Sequence, residues 1–131
     1  MLSGIESLPL ASLREFTADT RTAAAAESYL RRALEALLDL GRHVLAKGFG
    51  HPVAEYKEIP EQLREKGIMG EREAVLLREM AGYRNRMVHF YDEIGTEELF
   101  GICAERRGDI ALVLSRIIGW INAHPELTDG A

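Results

Sequence analysis

The stretch TRTAAAAESYLRRALEALLDLGRHVLA, residues 20–46, decides the fold class of this chain. Its apolar residues recur at intervals of three and four, which collects side chains on one face of an α-helix, and do not alternate as in a strand. The stretch therefore predicts one long helix, with Asp19 or Thr17 as the residue that caps its first turn. The buried stripe of this helix is predicted to contain Ala23, Ala26, Tyr29, Leu30, Ala33, Leu37, Leu40, Val44 and Leu45.

Glycine and proline residues mark the limits of the long helix and of the element before it. Gly48, Gly50 and Pro52 follow residue 46 and are predicted to end the helix. A short first helix is predicted to begin at Pro9, because proline is well tolerated at a first helical position. The apolar side of this short helix contains Leu10, Leu13 and Phe16.

Three further helices are predicted from the same periodicity, over residues 55–65, 71–90 and 96–122. Pro60 must either start the first of them or kink it. No window rich in valine or isoleucine and bounded by turn residues predicts a strand. The chain is therefore predicted to be all-α, an antiparallel bundle of four to five helices.

Composition limits the class of protein further. A chain of 131 residues with 47% hydrophobic residues can bury one core, so residues 1–131 are predicted to form a single domain. Cys103 is the only cysteine, which excludes an internal disulfide framework. The first residues lack a basic region followed by an apolar run, and no segment approaches the length of a membrane span. We therefore expect a cytoplasmic protein that does not bind a membrane.

The formal net charge of −5 argues against a broad nucleic-acid-binding surface, which usually accompanies a basic domain. Most of the positive residues are arginines, and Arg78, Arg84 and Arg86 lie on one predicted helix. An acidic protein can in this way present a local phosphate-binding spot. For Arg78 and Arg86, pairing with glutamates on a solvated helix face is the simpler interpretation.

The stretch RNRMVHFY, residues 84–91, places an arginine, a histidine and a tyrosine at fixed spacing. Arginine can hold a phosphate, histidine can move a proton near neutral pH, and a phenolic oxygen can be modified. At 3.6 residues per turn, Arg84 and Tyr91 fall on nearly the same side of a helix, whereas His89 lies roughly 140° from Arg84. Arg84 and His89 can therefore act on one atom only if the helix is distorted near His89 or a second copy of the chain faces the first.

Arg84 projects into the apolar arc of the predicted motif helix. An unpaired guanidinium is costly there, so Arg84 requires a carboxylate, backbone carbonyls or a water-filled cleft. Two interpretations remain open: an internal arginine that bridges helices, or an arginine that lines a cleft at a subunit boundary. His89 projects beside Asn85 on a polar strip, and we expect solvent to reach it.

These residues resemble the Arg-x4-His-x-Tyr signature of the HEPN superfamily, specifically the HepT-like toxins of HepT/MntA-type toxin-antitoxin pairs. Arg84, His89 and Tyr91 match all three signature positions. The resemblance covers residues 16–122 and includes the helical layout. The other stretches that carry it are Phe16-x2-Asp19, residues 37–43, Pro52-x3-Tyr56 and residues 63–68.

The resemblance implies an activity and a set of partners. It implies a HEPN-like homodimer whose motif helices meet, with Arg84 and His89 as the catalytic residues of an endoribonuclease. From their chemistry, Asn85 and Arg86 are predicted to bind the RNA substrate, either tRNA or mRNA, and Asn85 can hold the scissile phosphate or orient His89. Tyr91 would receive AMP from a cognate minimal nucleotidyltransferase antitoxin, and the added phosphate would repel RNA. The toxin would be silenced by this modification or by formation of a complex with the antitoxin.

The residue types fit metal-independent cleavage by the 2′-hydroxyl of the RNA itself, because histidine can transfer protons and arginine can stabilise the charge that develops at phosphorus. No spacing among the histidines, the cysteine and the carboxylates forms a zinc or magnesium site, so no metal or other cofactor is predicted. The alternative is a non-catalytic helical module that docks a partner nucleotidyltransferase and helps it bind nucleotide. In that case Arg84 and Arg86 hold phosphate and His89 is only structural.

Overall fold

The computed structural model describes residues 2–89 and 94–128. These residues form eight α-helices and a 3₁₀ turn at Tyr56–Glu58, with no strand among them, so the predicted all-α bundle is confirmed. Within the same residues, no helix has both the length and the apolar character that a bilayer span requires. The helices are α1 (Ser3–Glu6), α2 (Leu13–Thr17), α3 (Thr20–Phe49), α4 (Ile59–Glu65), α5 (Glu71–Met87), α6 (Thr96–Glu105), α7 (Arg107–Ala123) and α8 (Pro125–Thr128).

Helix α3 is the central element and packs against each of the other helices. Asp19 caps it, because its side chain accepts a hydrogen bond from the Arg21 backbone N–H at 2.9 Å. The helix ends at Gly50, whose φ of 61° lies in the left-handed region that glycine adopts without strain. It runs to residue 49 and not to the predicted residue 46, since Gly48 does not break it. Instead, Gly48 makes room for the Trp120 ring, which lies 3.3 Å from the position a Cβ would occupy.

The apolar stripe of α3 supplies the middle of the core, largely as predicted. Ala23 and Leu40 are only half-buried, and Tyr29 is 38% exposed, so the prediction that Tyr29 is buried was wrong. The Tyr29 ring lies over α1, close against Gly4 at the surface. The buried members of α3 are Ala26, Leu30, Ala33, Leu34, Leu37, Leu38, Gly41, Val44 and Leu45.

The N-terminal region differs from the predicted helix that begins at Pro9. Pro9 lies in the link between α1 and α2, and α2 begins only at Leu13. The cause is Ser12, whose side chain accepts a hydrogen bond from the Glu15 backbone N–H at 3.2 Å and so caps the helix at this later point. Phe16 of α2 is fully buried, as an apolar helix face requires.

The helix predicted over residues 96–122 is divided into α6 and α7 at Arg106. The Arg106 backbone has φ −101° and ψ 0°, outside the helical region. Its side chain contacts Asp109 at 3.1 Å and Glu79 of α5 at 3.6 Å, and Gly108 lowers the helix propensity beside it. The division depends on the contact between Arg106 and Glu79 of α5. The spacing of apolar residues along the chain cannot indicate such a contact between helices.

The predicted helix over residues 55–65 begins with the 3₁₀ turn and continues as α4. Pro60 occupies the first turn of α4, so it starts the helix and does not kink it. Because Tyr56 is the first residue of the 3₁₀ turn, this short element determines where the Tyr56 side chain meets α3 and α5.

Candidate active site

The motif helix α5 ends at Met87, earlier than predicted. The backbone N–H of His89 donates to the Arg86 carbonyl at 3.3 Å, which closes the chain just beyond the helix end. The prediction of a helix over residues 71–90 is therefore wrong at residues 88 and 89, which lie beyond the helix end. Residue 90 lies outside the described residues. Because His89 no longer follows the helical projection, the angle between it and Arg84 is not the one a straight helix imposes.

Arg84 and His89 line the same cleft, of about 410 Å³, within one chain. The end of α5, residues 54–57 and α3 contribute its walls. A second copy of the chain is therefore not needed to bring these two side chains to one cleft. The lining residues in the described part of the chain are Arg42, Ala54, Glu55, Tyr56, Lys57, Arg84, Asn85 and His89.

Arg84 both bridges two helices and faces the cleft. Its Nε and Nη2 atoms each lie 3.0 Å from the Glu35 carboxylate on α3, and Nη1 donates to Asn85 Oδ1 at 3.3 Å. Its guanidinium carbon lies 4.7 Å from the centre of the Tyr56 ring, a cation–π distance. The Arg84 side chain is 25% exposed. Two of the three environments predicted for Arg84, a carboxylate partner and a cleft, are thus both present.

Tyr56 joins the 3₁₀ turn to α3. Its hydroxyl donates to Asp39 Oδ1 at 2.7 Å, and the same oxygen accepts a hydrogen bond from Arg42 Nη2 at 2.6 Å. The Arg42 guanidinium carbon lies 5.1 Å from the Tyr56 ring centre, so the ring contacts two guanidinium groups. Partial burial, and then the hydrogen bond to Asp39, raises the pKa of the Tyr56 phenol above its ordinary value of 10.0. The hydroxyl therefore keeps its proton at neutral pH.

Three of the predicted site residues lie together. Arg84, Asn85 and His89 line the cleft, and His89 is exposed, as expected from its polar strip. Tyr91, the predicted modification site, lies outside the described residues.

Arg86, the other predicted substrate-binding residue, is not among the described residues that line the cleft. Its guanidinium donates to both carboxylate oxygens of Glu98, at 2.7 and 2.8 Å. This hydrogen bond lowers the pKa of the Glu98 carboxyl below its ordinary value of 4.5. Arg86 thus connects the end of α5 to the first turn of α6, on either side of the segment that contains His89.

The sequence indicated no role for several residues that line the cleft or pair with its arginines. Glu35, Asp39 and Arg42 recur on α3 at four- and three-residue spacing, which places them on one helix face and was a usable signal. Tyr56 belongs to one of the stretches that carry the family resemblance, but nothing in the sequence indicates that its ring lies against Arg84. Lys57 had no distinguishing signal.

The cleft concentrates cations in a protein whose net charge is −5. Arg42, Lys57 and Arg84 line it, with Glu55 as the acidic residue among the described lining residues. Glu35 and Asp39 pair with the two arginines and neutralise part of their charge. An anion would therefore be held by directed hydrogen bonds together with local charge, and not by a field that covers the surface.

Another cavity in the described part of the chain lies away from the motif residues. A cavity of about 550 Å³ lies beside α7, and its lining includes Arg116, Trp120 and His124 but no residue of the 84–91 stretch. Among residues 2–89 and 94–128, no group of three or more histidine, cysteine, aspartate or glutamate side chains is placed to hold a metal ion.

Comparison with protein families gives a match that spans this cleft. Residues 2–117 match the family model described as Ribonuclease HepT-like. The chain belongs to the HepT-like ribonuclease family. Membership confirms the resemblance seen in the sequence and supports ribonuclease activity in general. No curated protein matches the chain significantly.

The cleft of this HepT-like ribonuclease contains an arginine that can bind an anion, Arg84, and a histidine that can transfer protons, His89. A guanidinium has five N–H donors, and the contacts with Glu35 and Asn85 occupy three of those of Arg84. The remaining donors can bind phosphate oxygens while the two protein contacts hold the fork in a fixed orientation. His89 is exposed in the same cleft and can exchange a proton with a bound nucleotide.

Proposed function

We propose that this protein is a metal-independent endoribonuclease toxin of a type VII-like toxin-antitoxin system, which cleaves RNA such as tRNA or mRNA. The observation that carries the proposal is that Arg84, Asn85 and His89 line one cleft. The chain also belongs to a ribonuclease family, which supports the general activity.

The proposed reaction uses the 2′-hydroxyl of the substrate as the nucleophile. Its oxygen forms a bond to the adjacent phosphorus, and the bond from phosphorus to the 5′-oxygen of the next nucleotide breaks. The products are a 2′,3′-cyclic phosphate and a 5′-hydroxyl, with the nucleophile's proton taken by a base and a proton supplied to the departing oxygen. The reaction needs no oxidant, reductant or other co-reactant, so protein side chains can supply the whole catalysis.

In this reaction Arg84 would stabilise the charge that develops on the phosphate oxygens, because its donors are already oriented by Glu35 and Asn85. His89 would transfer the proton, and Asn85 would keep the Arg84 fork in place or contact the phosphate. A homodimer would bring a second His89 to the cleft, so that one histidine acts as base and the other as acid. Since one chain already places Arg84 and His89 on one cleft, the dimer is proposed for this second proton transfer.

Silencing is proposed to occur at Tyr91, through AMP transferred by a cognate nucleotidyltransferase antitoxin. Tyr91 follows His89 by two positions in the sequence, and His89 lines the cleft. A phosphate added there would place negative charge near the cleft and repel the RNA backbone.

The first experiment measures cleavage of a tRNA mixture in excess EDTA by wild type, Arg84→Ala and His89→Ala. Intact mass is measured beforehand to show that Tyr91 is unmodified. We expect cleavage only by wild type, with 2′,3′-cyclic phosphate ends. Arg72→Ala is the matched control, because Arg72 is an exposed arginine on the same helix and should leave cleavage unchanged.

The pH profile of the rate adds an independent test of proton transfer. Proton transfer by a side chain makes the rate depend on pH, and His89→Ala should remove that dependence. If all the proteins are folded but equally inactive on RNA, the ribonuclease proposal fails. The non-catalytic docking module would then be favoured, and His89→Ala should bind the partner nucleotidyltransferase as wild type does.

The modification is tested with the purified partner nucleotidyltransferase and ATP. We expect wild type to gain the mass of AMP and to lose cleavage activity in parallel. Tyr91→Phe should keep its original mass and remain active in the presence of the partner. AMP found on another residue, with Tyr91 unmodified, would contradict the assignment.

A further inference from the structure

The cleft contains a second set of cations beyond those of the proposed reaction. Arg42 and Lys57 line it together with Arg84 and His89, but they come from α3 and the 3₁₀ turn and not from the motif helix. The family motif does not include them, and the single phosphate attacked in the proposed reaction does not require them.

Arg42 and Arg84 are related through the Tyr56 ring. Their guanidinium carbons lie 5.1 and 4.7 Å from the ring centre, so they are less than 10 Å apart. Neighbouring phosphates along one nucleic-acid strand are separated by a distance within the same limit. Two cations at such a distance can contact consecutive phosphates of the same molecule.

We propose that Arg42, assisted by Lys57, binds the phosphate next to the one that is cleaved. This inference rests on the proposed ribonuclease function and makes it more specific. The preferred substrate is an oligonucleotide with at least two consecutive phosphates, and a dinucleotide with a single phosphate is a poor one. Arg84 engages the scissile phosphate, and Arg42 engages its neighbour.

Arg42 and Lys57 both have N–H donors that can contact a phosphate. Arg42 donates through Nη2 to Asp39, which leaves other guanidinium N–H groups for a phosphate, and its side chain is 39% exposed. The Lys57 side chain is 70% exposed, and its Nζ lies 3.7 Å from the Glu55 carboxylate, beyond hydrogen-bond length. Asp39 holds the Arg42 guanidinium and the Tyr56 hydroxyl through one oxygen, so the arginine is oriented before substrate binds.

A purely structural role for Arg42 makes a different prediction. If Arg42 only orients Tyr56, and through it Arg84, its loss lowers cleavage of every substrate by the same factor. If Arg42 binds a phosphate, its loss removes only the advantage that this phosphate gives. The two roles are therefore separated by changing the substrate and the protein together.

The test uses oligonucleotides with a single ribonucleotide among deoxynucleotides, so that only one linkage can be cleaved. Each neighbouring phosphate is replaced in turn by an uncharged methylphosphonate. With wild type, one of the two replacements should lower kcat/KM by roughly tenfold, as expected for loss of a charge-assisted hydrogen bond. Arg42→Gln should cleave the unmodified substrate roughly tenfold more slowly and should not respond to that replacement. Arg42→Lys should recover part of the response.

Arg72→Gln is the matched control for charge, and it should retain the full response to both replacements. A folded Arg42→Gln protein that stays as sensitive as wild type to both replacements would overturn the proposal. A decrease in cleavage by Arg42→Gln that is the same factor for the unmodified and both modified substrates would also overturn it.

Binding gives a second readout that does not depend on cleavage. The affinity of each protein for a 2′-O-methyl RNA oligomer, which cannot be cleaved, is measured by fluorescence anisotropy at several salt concentrations. The slope of log Kd against log salt should fall by about 0.7 in Arg42→Gln relative to wild type, for one lost phosphate contact. An unchanged slope would refute the phosphate contact. If the slope differs between wild type and Arg42→Gln in this way but wild type cleaves no RNA, the proposed ribonuclease function fails and the phosphate site at Arg42 stands.

Discussion

At the residue scale, Arg84 shows how one side chain can serve stability and chemistry together. Its position in an apolar arc indicated that it needed a partner, and Glu35 on α3 is that partner. The pair is mostly buried, with the Arg84 side chain 25% and the Glu35 side chain 24% exposed. The contacts with Asn85 and Tyr56 then fix the plane of the guanidinium. A charge alone would not reproduce this orientation.

Arg84→Lys separates the two roles. Lysine keeps a positive charge near Glu35, so we expect the free energy of unfolding to fall by only about 1 kcal/mol. It lacks the planar fork, so cleavage should fall roughly 100-fold. Urea denaturation and the cleavage rate are measured on the same preparation. Activity close to wild type would show that the oriented fork is not required.

At the element scale, the early end of α5 decides where His89 lies. The hydrogen bonds between Arg86 and Glu98 join the end of α5 to the start of α6, on the two sides of the segment that carries His89. In this structure the Arg86 side chain therefore joins the end of α5 to the start of α6. The interpretation of Arg86 as an arginine paired with a glutamate agrees with this contact, whereas its proposed contact with substrate remains a prediction.

Glu98→Gln tests this connection through its pH dependence. The folded-state pKa of Glu98 lies below its ordinary value of 4.5, so the ion pair stabilises the protein above about pH 4.5 and is lost as the pH falls through the lower, folded-state value. The side chains are 32% and 43% exposed, so solvent screening limits the contribution to at most about 1 kcal/mol. Melting temperatures of wild type and Glu98→Gln should differ at pH 7 and converge as the pH falls below the folded-state pKa of Glu98. A difference that persists at acid pH would contradict the assignment.

The contact between α3 and α4 depends on Gly41. A Cβ at this position would lie 3.0 Å from both Ile59 and Leu63, tighter than ordinary side-chain packing. Gly41→Val should therefore lower the free energy of unfolding by about 1–3 kcal/mol through overpacking. Gly82→Val is the matched control, because nothing lies within 4 Å of its Cβ position, and it should leave stability unchanged or slightly raised. Equal losses in urea denaturation at both positions would contradict this account.

At the scale of the whole molecule, one core surrounds α3 and encloses the single thiol. Cys103 lies on α6, is 1% exposed, and has its pKa raised by burial to about 11. The thiol therefore behaves as a small apolar side chain. The polar groups of the cleft, by contrast, lie at the surface of this core, where α3, α5 and the 3₁₀ turn meet.

Thiol labelling reports on the integrity of this core. At pH 8, roughly one in a thousand Cys103 groups is the reactive thiolate, and burial also blocks access of the reagent. We expect an aromatic disulfide reagent to label native protein very slowly and to label it fully in denaturing urea. Rapid stoichiometric labelling of native protein would show that α6 opens readily or does not pack as described.

The sequence by itself determined the helical class, the residue at which α3 begins, most of its buried stripe and the family. These properties depend on periodicity and on residues a few positions apart, which can be read along the chain. Tertiary structure alone decided the pairing of Arg84 with Glu35, 49 residues away, and the meeting of Arg42, Tyr56 and Arg84 in one cleft. It also decided where α5 ends and where α6 gives way to α7. Helix packing sets these contacts, because the side chains that meet across two helices are distant in sequence and share no local pattern.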